Sequence, residues 1–154
     1  MVPSLAGERT PSWNLNARGI IDGIDLATDP TDLMLAAMEG NALALAQDVA
    51  VLRDRGFPID RVISTGGGSS SRAWLQIKAD VLGVPLLRPV SGHGAAEGAA
   101  ALAGLAVGVH ESIDTIRELS GAVEARFEPD ASKADGYARS ARRYAELTGL
   151  NLSR

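Results

Sequence analysis

Thr65-Gly66-Gly67-Gly68-Ser69-Ser70-Ser71-Arg72 is the stretch whose residue types and order could do chemistry. Consecutive glycines let a backbone turn sharply and lie flat against a planar ligand, because without a Cβ they reach dihedral angles and close approaches denied to other residues. The serines suit a helix start, where the first N–H groups have no intrahelical partner and carry partial positive charge. A phosphate or ribose oxygen is well received there. Residue types alone leave two readings open: the turn cradles a nucleotide, or it only lets a strand and a helix pack closely. There is no Walker A lysine motif, and neither this stretch nor Gly92-His93-Gly94-Ala95-Ala96-Glu97 completes G-x-G-x-x-G. A dinucleotide site is further disfavoured because no acidic ribose-binding residue is convincingly placed after a complete glycine fingerprint.

Other chemistries are narrowed by composition. The chain has no cysteine, which removes disulfides and thiolate metal sites and makes a reducing cytoplasm the expected setting. Its two histidines, His93 and His110, are too far apart in sequence and too poorly supported to propose zinc. A net charge of −4 argues against nucleic acid, since tracking phosphates requires clustered Lys and Arg. The densest basic group, Arg139, Arg142 and Arg143, falls at helical spacing and reads as a solvated face. No apolar run is expected to reach membrane-spanning length, and no basic region followed by an apolar one marks a signal peptide. Trp13 and Trp74 read as packing residues, Asp80 and Glu97 as structural side chains. Glu8 and Arg9 read as partners of each other or of a neighbouring domain.

The elements that must position the glycine turn alternate along the chain. At 154 residues it is one domain long, enough to bury about 70% of the surface its unfolded form exposes. Residues 1–18, punctuated by Pro3, Gly7, Pro11 and Asn16, read as a loop-rich opening segment, and Ile20 to Ile24 as a short strand or extended run. Asp29-Pro30-Thr31-Asp32 opens a helix that runs to about Arg55 and stops at Gly56-Phe57-Pro58. Its small residues, Ala36, Ala37, Gly40 and Ala44, predict close approach of another backbone. Arg61 to Thr65 reads as a strand, Ser70 to Leu82 as a helix and Val84 to Leu87 as a further strand. The Gly/Ala-rich run from Gly94 to Val107 reads as a tightly packed helix. Ser112 caps a short amphipathic helix closed by Gly121, and a last helix after Pro129 carries Tyr137, Tyr144 and Leu147. Strands alternating with helices indicate an α/β architecture.

Several segments, in order, resemble one family. Gly7-Glu8-Arg9-Thr10-Pro11-Ser12-Trp13 and Asn16-Ala17-Arg18-Gly19 are similar to the G-E-R-T-P-x-W and N-A-R-G segments of FGGY-type carbohydrate kinases, xylulokinases in particular. Gly19-Ile20-Ile21-Asp22-Gly23-Ile24, seven residues, then Asp32-Leu33-Met34-Leu35-Ala36-Ala37-Met38-Glu39 resembles the family's second signature in spacing and residue type. The likeness continues through Gly66 to Ser71, Trp74 to Gly83 and Gly98-Ala99-Ala100, covering essentially the whole chain.

What the resemblance implies is an actin-like, ribonuclease H-related ATPase domain, the C-terminal half of a two-domain sugar kinase. Its glycine turn would take the adenosine side of ATP. Carried over by position, Gly67 and Ser71 match the nucleotide contacts, with Gly66 and Gly68 as flanking backbone. Ser71 stands where relatives have asparagine, keeping a hydroxyl but losing the amide's reach. Gly92-His93 stand where many relatives carry acidic residues. The family's kinases are several-fold longer, with a sugar-binding N-terminal domain, phosphate-gripping loops and a catalytic aspartate. The expectation is therefore a chain entering partway through the second domain, with the base and the Mg²⁺ ligands outside it, no metal site of its own and no turnover alone. The intact kinase would phosphorylate a pentulose such as xylulose with ATP. A stand-alone nucleotide-binding module and a structural remnant without nucleotide affinity remain as other classes. An unpaired strand edge and bare apolar helix faces are expected, and a homodimer would cover them.

Overall fold

A computed structural model describes residues 1–90, 94–120 and 122–152 of the chain. Its first long element begins where local chemistry demands. Helix α1, Pro30–Asp54, is opened by a capping box: the Asp29 carboxylate accepts the N–H groups of Thr31 and Asp32 at 2.6 and 3.0 Å, and the Asp32 carboxylate accepts the Asp29 N–H at 3.0 Å. Pro30 costs nothing at the first helical position, where its missing N–H would be unpaired in any case. The helix ends at Arg55, and Gly56 follows with φ +84°.

Strand β1, Val62–Ile63, runs parallel to β2, Leu86–Pro89, with α2, Arg72–Leu82, between them in sequence. Gly83 ends α2 in the left-handed conformation, φ +64°, and returns its N–H to the Ala79 carbonyl at 2.9 Å. Strand β3, Val123–Phe127, then pairs antiparallel with the far side of β2, giving the order β1-β2-β3. The β2–β3 register shifts between Arg88 and Pro89, where proline has no N–H to give to the ladder. Helix α3 is Gly94–Ala106, α4 is Ile113–Ser120 and α5 is Ala134–Leu152. Ser112 caps α4 by accepting the Thr115 N–H at 3.2 Å.

The core lies where α1 and α2 meet the sheet. Val49 of α1, Leu75, Ala79 and Leu82 of α2, and Leu86 and Phe127 of the strands form one cluster. Val2, Leu43, Tyr144 and Leu147 form a second one, joining the chain's start to α1 and α5. Leu75, Leu86 and Val2 are fully buried, each worth about 1.5–3 kcal/mol relative to exposure.

Three expectations are corrected and one is narrowed. The Arg61–Thr65 strand shrinks to two paired residues, and the next one shifts two residues later. The run from Ile20 to Ile24, expected as a short strand or an extended run, is no named strand and contributes an isolated antiparallel bridge between Val2 and Ile20, which leaves the extended reading standing. None of α3 is buried: Leu102 is 63% exposed and Val107, just past its end, 77%, because none of the described helices or strands packs extensively along its Gly/Ala surface. Helix α1 is long and apolar enough to cross a membrane by length and composition, contrary to expectation; here it packs against α2 and α5. Gly121 and Gly92-His93 lie outside the described residues.

Candidate functional site

The glycine turn sits between the end of β1 and the start of α2. Gly66 has φ +79°, a conformation that L side chains rarely adopt, and the following residues, Gly67–Ser70, wind into a short 3₁₀ turn. The serines divide the work differently from the expected helix cap. Ser69 donates its hydroxyl to the Gly66 carbonyl at 2.7 Å and Ser70 donates to the Gly67 carbonyl at 2.8 Å, so both stiffen the turn. Ser71 alone caps α2, its oxygen accepting the Trp74 N–H at 3.3 Å.

The sequence-predicted residues therefore separate. Apart from the adjoining residues, no atom lies within 4 Å of where a Cβ on Gly66 or Gly67 would stand, so both present bare backbone to open space. Gly68 is turned inward: a Cβ there would come within 3.2 Å of the Trp74 ring. Ser71 is half-buried and engaged as a cap. Gly66, Gly67, Ser69 and Ser70 face Arg88, Pro89 and Glu124 across a groove of about 380 Å³, within the range of small-ligand pockets. Sequence reasoning missed Arg88 and Glu124. Their signals were an arginine ending the apolar run Leu86-Leu87 and the alternation Val123-Glu124-Ala125-Arg126-Phe127.

Trp74 backs the turn. The Lys78 ammonium lies 4.2 Å from its ring centroid, and burial pulls that lysine below its ordinary value. Trp13, expected to pack, is 71% exposed with φ +52°. Glu8 accepts the Ser12 hydroxyl within its own loop. Glu97 is exposed on α3.

A larger hollow of about 690 Å³ opens beside α1 and the start of α5, lined by Glu39, Lys133, Tyr137 and Arg139 among others. Its polar groups already serve the fold. Tyr137 donates to Glu39 at 3.1 Å, and its phenol is pushed up to about 12 by burial and by that carboxylate. Lys133 donates to Asp80 at 2.8 Å. Among the described residues, no group of three or more His, Asp or Glu side chains gathers to hold a metal ion.

The model of the C-terminal domain of the FGGY family of carbohydrate kinases matches residues 1–107. A xylulose kinase of Staphylococcus epidermidis is 35% identical over 135 residues, 88% of this chain and 27% of the relative. A glycerol kinase of Myxococcus xanthus is 40% identical over 130 residues, 83% of this chain and 26% of the relative. Among solved structures, a Plasmodium falciparum glycerol kinase with ADP superimposes with a TM-score of 0.79 at 25% identity, covering 98% of this chain and 30% of that one. The fold is thus the C-terminal part of the actin-like ATPase architecture of these kinases. The chain spans about a quarter of the length of the curated relatives it matches.

Proposed function

The chain belongs to the FGGY family of carbohydrate kinases, whose C-terminal domain it carries, and on that premise we propose that it supplies the adenine-nucleotide-binding half of an ATP-dependent sugar kinase. One observation carries the reading: at Gly66-Gly67 a bare stretch of backbone, with no neighbour beyond the adjoining residues within 4 Å of either absent Cβ, faces a groove beside the start of α2. A flat base and ribose would lie against that backbone, with Gly68 and Trp74 fixing its depth. Ser71 would act on the ligand through the helix start that it caps.

ATP would supply the phosphoryl group, and Mg²⁺ would be held mainly by residues beyond those described here. Phosphoryl transfer requires donor, acceptor, metal and base to be positioned together in a cleft that closes against water. The described residues offer one wall of such a cleft. We assign the acceptor-binding groups and the base to the sugar-binding half of the intact kinase, and no kinase turnover to these 154 residues alone. The acceptor we favour is a pentulose such as xylulose, supported by the run of residues shared with xylulokinases. Glycerol is the second reading, favoured by the 40% identity to a glycerol kinase.

The test has two parts. Calorimetric titration with ATP yields saturable binding by the chain, and a coupled ADP-release assay with xylulose and glycerol stays at blank. Absence of ATP binding refutes the nucleotide reading, and ADP release above blank refutes the assignment of catalysis to both halves together. Ile63 on the outer strand and the uncovered α3 favour a homodimer in solution. Light scattering giving only monomer mass at high concentration contradicts that.

A further inference from the structure

We propose that Arg88 is a positioning residue for the nucleotide ledge: it holds the Gly66–Ser69 turn in its open shape, a role that rests on the nucleotide reading above. Arg88 lies on β2 with its side chain only 16% exposed. One guanidinium nitrogen, Nη1, donates to the Ser69 carbonyl at 3.3 Å; the other, Nη2, donates to Glu124 Oε1 on β3 at 2.8 Å. Ser69 is itself buried, and both its N–H and its hydroxyl close on the Gly66 carbonyl, at 3.0 and 2.7 Å. A continuous chain of donors and acceptors therefore runs from the outer strand to the ledge: Glu124, Arg88, Ser69, Gly66.

The physical need is plain. A run of three glycines loses more conformational freedom on ordering than any other tripeptide would, so its shape must be imposed by something else. The serine hydroxyls bind the turn only to itself. Among the described residues, Arg88 ties it to the sheet by side-chain hydrogen bonds, and a planar fork that reaches two acceptors at once suits the task better than an ammonium does. An arginine serving only the β2–β3 pairing would stop at Glu124. This one continues to a loop carbonyl at the rim of the groove.

The experiment uses the full chain with Trp13→Phe, which leaves Trp74 as the one tryptophan. Because Gly68 abuts the Trp74 ring, acrylamide quenching of its emission reports the turn directly. ATP affinity is measured beside it by calorimetry for Arg88→Met, Arg88→Lys and Glu124→Gln. Arg88→Met should weaken ATP binding about tenfold, the scale of one lost charge-assisted hydrogen bond, and raise quenching. Arg88→Lys should recover part of both, and Glu124→Gln should fall between. Affinity and quenching unchanged in Arg88→Met overturn the proposal; should that variant fail to fold, unchanged values in Glu124→Gln and Arg88→Lys do so. If the unsubstituted chain binds no ATP, the nucleotide reading fails, and quenching alone decides on Arg88: a rise supports its hold on the turn and no change overturns it.

Discussion

Asp80 on α2 shows how one side chain fastens distant segments. Its carboxylate is fully buried and accepts from three donors: the Gln76 amide at 2.7 Å, the Asp130 N–H at 2.9 Å and the Lys133 ammonium at 2.8 Å. Burial by itself raises its pKa, but Lys133, the Asp130 N–H and Gln76 outweigh that effect and hold it below the ordinary 3.8. With the folded value below the unfolded one, the stabilisation is complete above 3.8 and is lost as pH falls through the folded value. Asp80→Asn should therefore flatten the acid limb of stability, read as urea midpoints between about pH 6 and pH 2. Asp80→Ala, which orphans three donors, should cost about 3 kcal/mol at neutral pH. An acid limb identical to that of the unsubstituted chain would show that the carboxylate's charge contributes nothing. The sequence marked Asp80 as a structural acceptor. Its partners fifty residues onward were invisible there, because only tertiary folding brings Asp130 and Lys133 beneath α2.

At the scale of elements, close packing is testable at Gly40. It is buried in α1, and a Cβ there would stand 2.2 Å from the Met1 carbonyl oxygen. Gly40→Ala should therefore lose about 1–3 kcal/mol by overpacking, although alanine is the better helix former. A thermal midpoint at or above that of the unsubstituted chain would mean that the chain's start does not press on α1. The small residues of α1 were legible as a close-approach surface, whereas the backbone that approaches at Gly40 was not. Elements set by local chemistry read well: Asp29, Pro30 and Asp32 start α1 and Gly56 marks its end, through groups within four residues. β3 escaped because it is a five-residue outer strand with Glu124 and Arg126 on its solvent side, and its identity comes from pairing with β2. α3 misled for the opposite reason. An Ala/Gly/Leu composition announces a surface able to pack, and which neighbour packs there is not written in the helix itself.

For the molecule as a whole, the α1–α2–α5 helices and the three-stranded sheet hold one turn in place, and the proposed nucleotide site rests on that turn. The glycines were legible from the first, since nothing else in the chain concentrates such backbone freedom. The division of labour among them was not, because it depends on Trp74 lying under Gly68 and on β2 and β3 closing the groove opposite Gly66 and Gly67. That division makes Gly67 the sharpest probe. A methyl group there meets no protein atom within 4 Å beyond the adjoining residues, so Gly67→Ala should leave stability within about 0.5 kcal/mol of the unsubstituted chain while projecting into the space assigned to the nucleotide. Calorimetric titration of both with ATP is the most direct measurement. The account predicts saturable binding by the unsubstituted chain and at least about tenfold weaker binding by Gly67→Ala at an unchanged melting temperature; equal affinity in the two, or no binding by either, would contradict it.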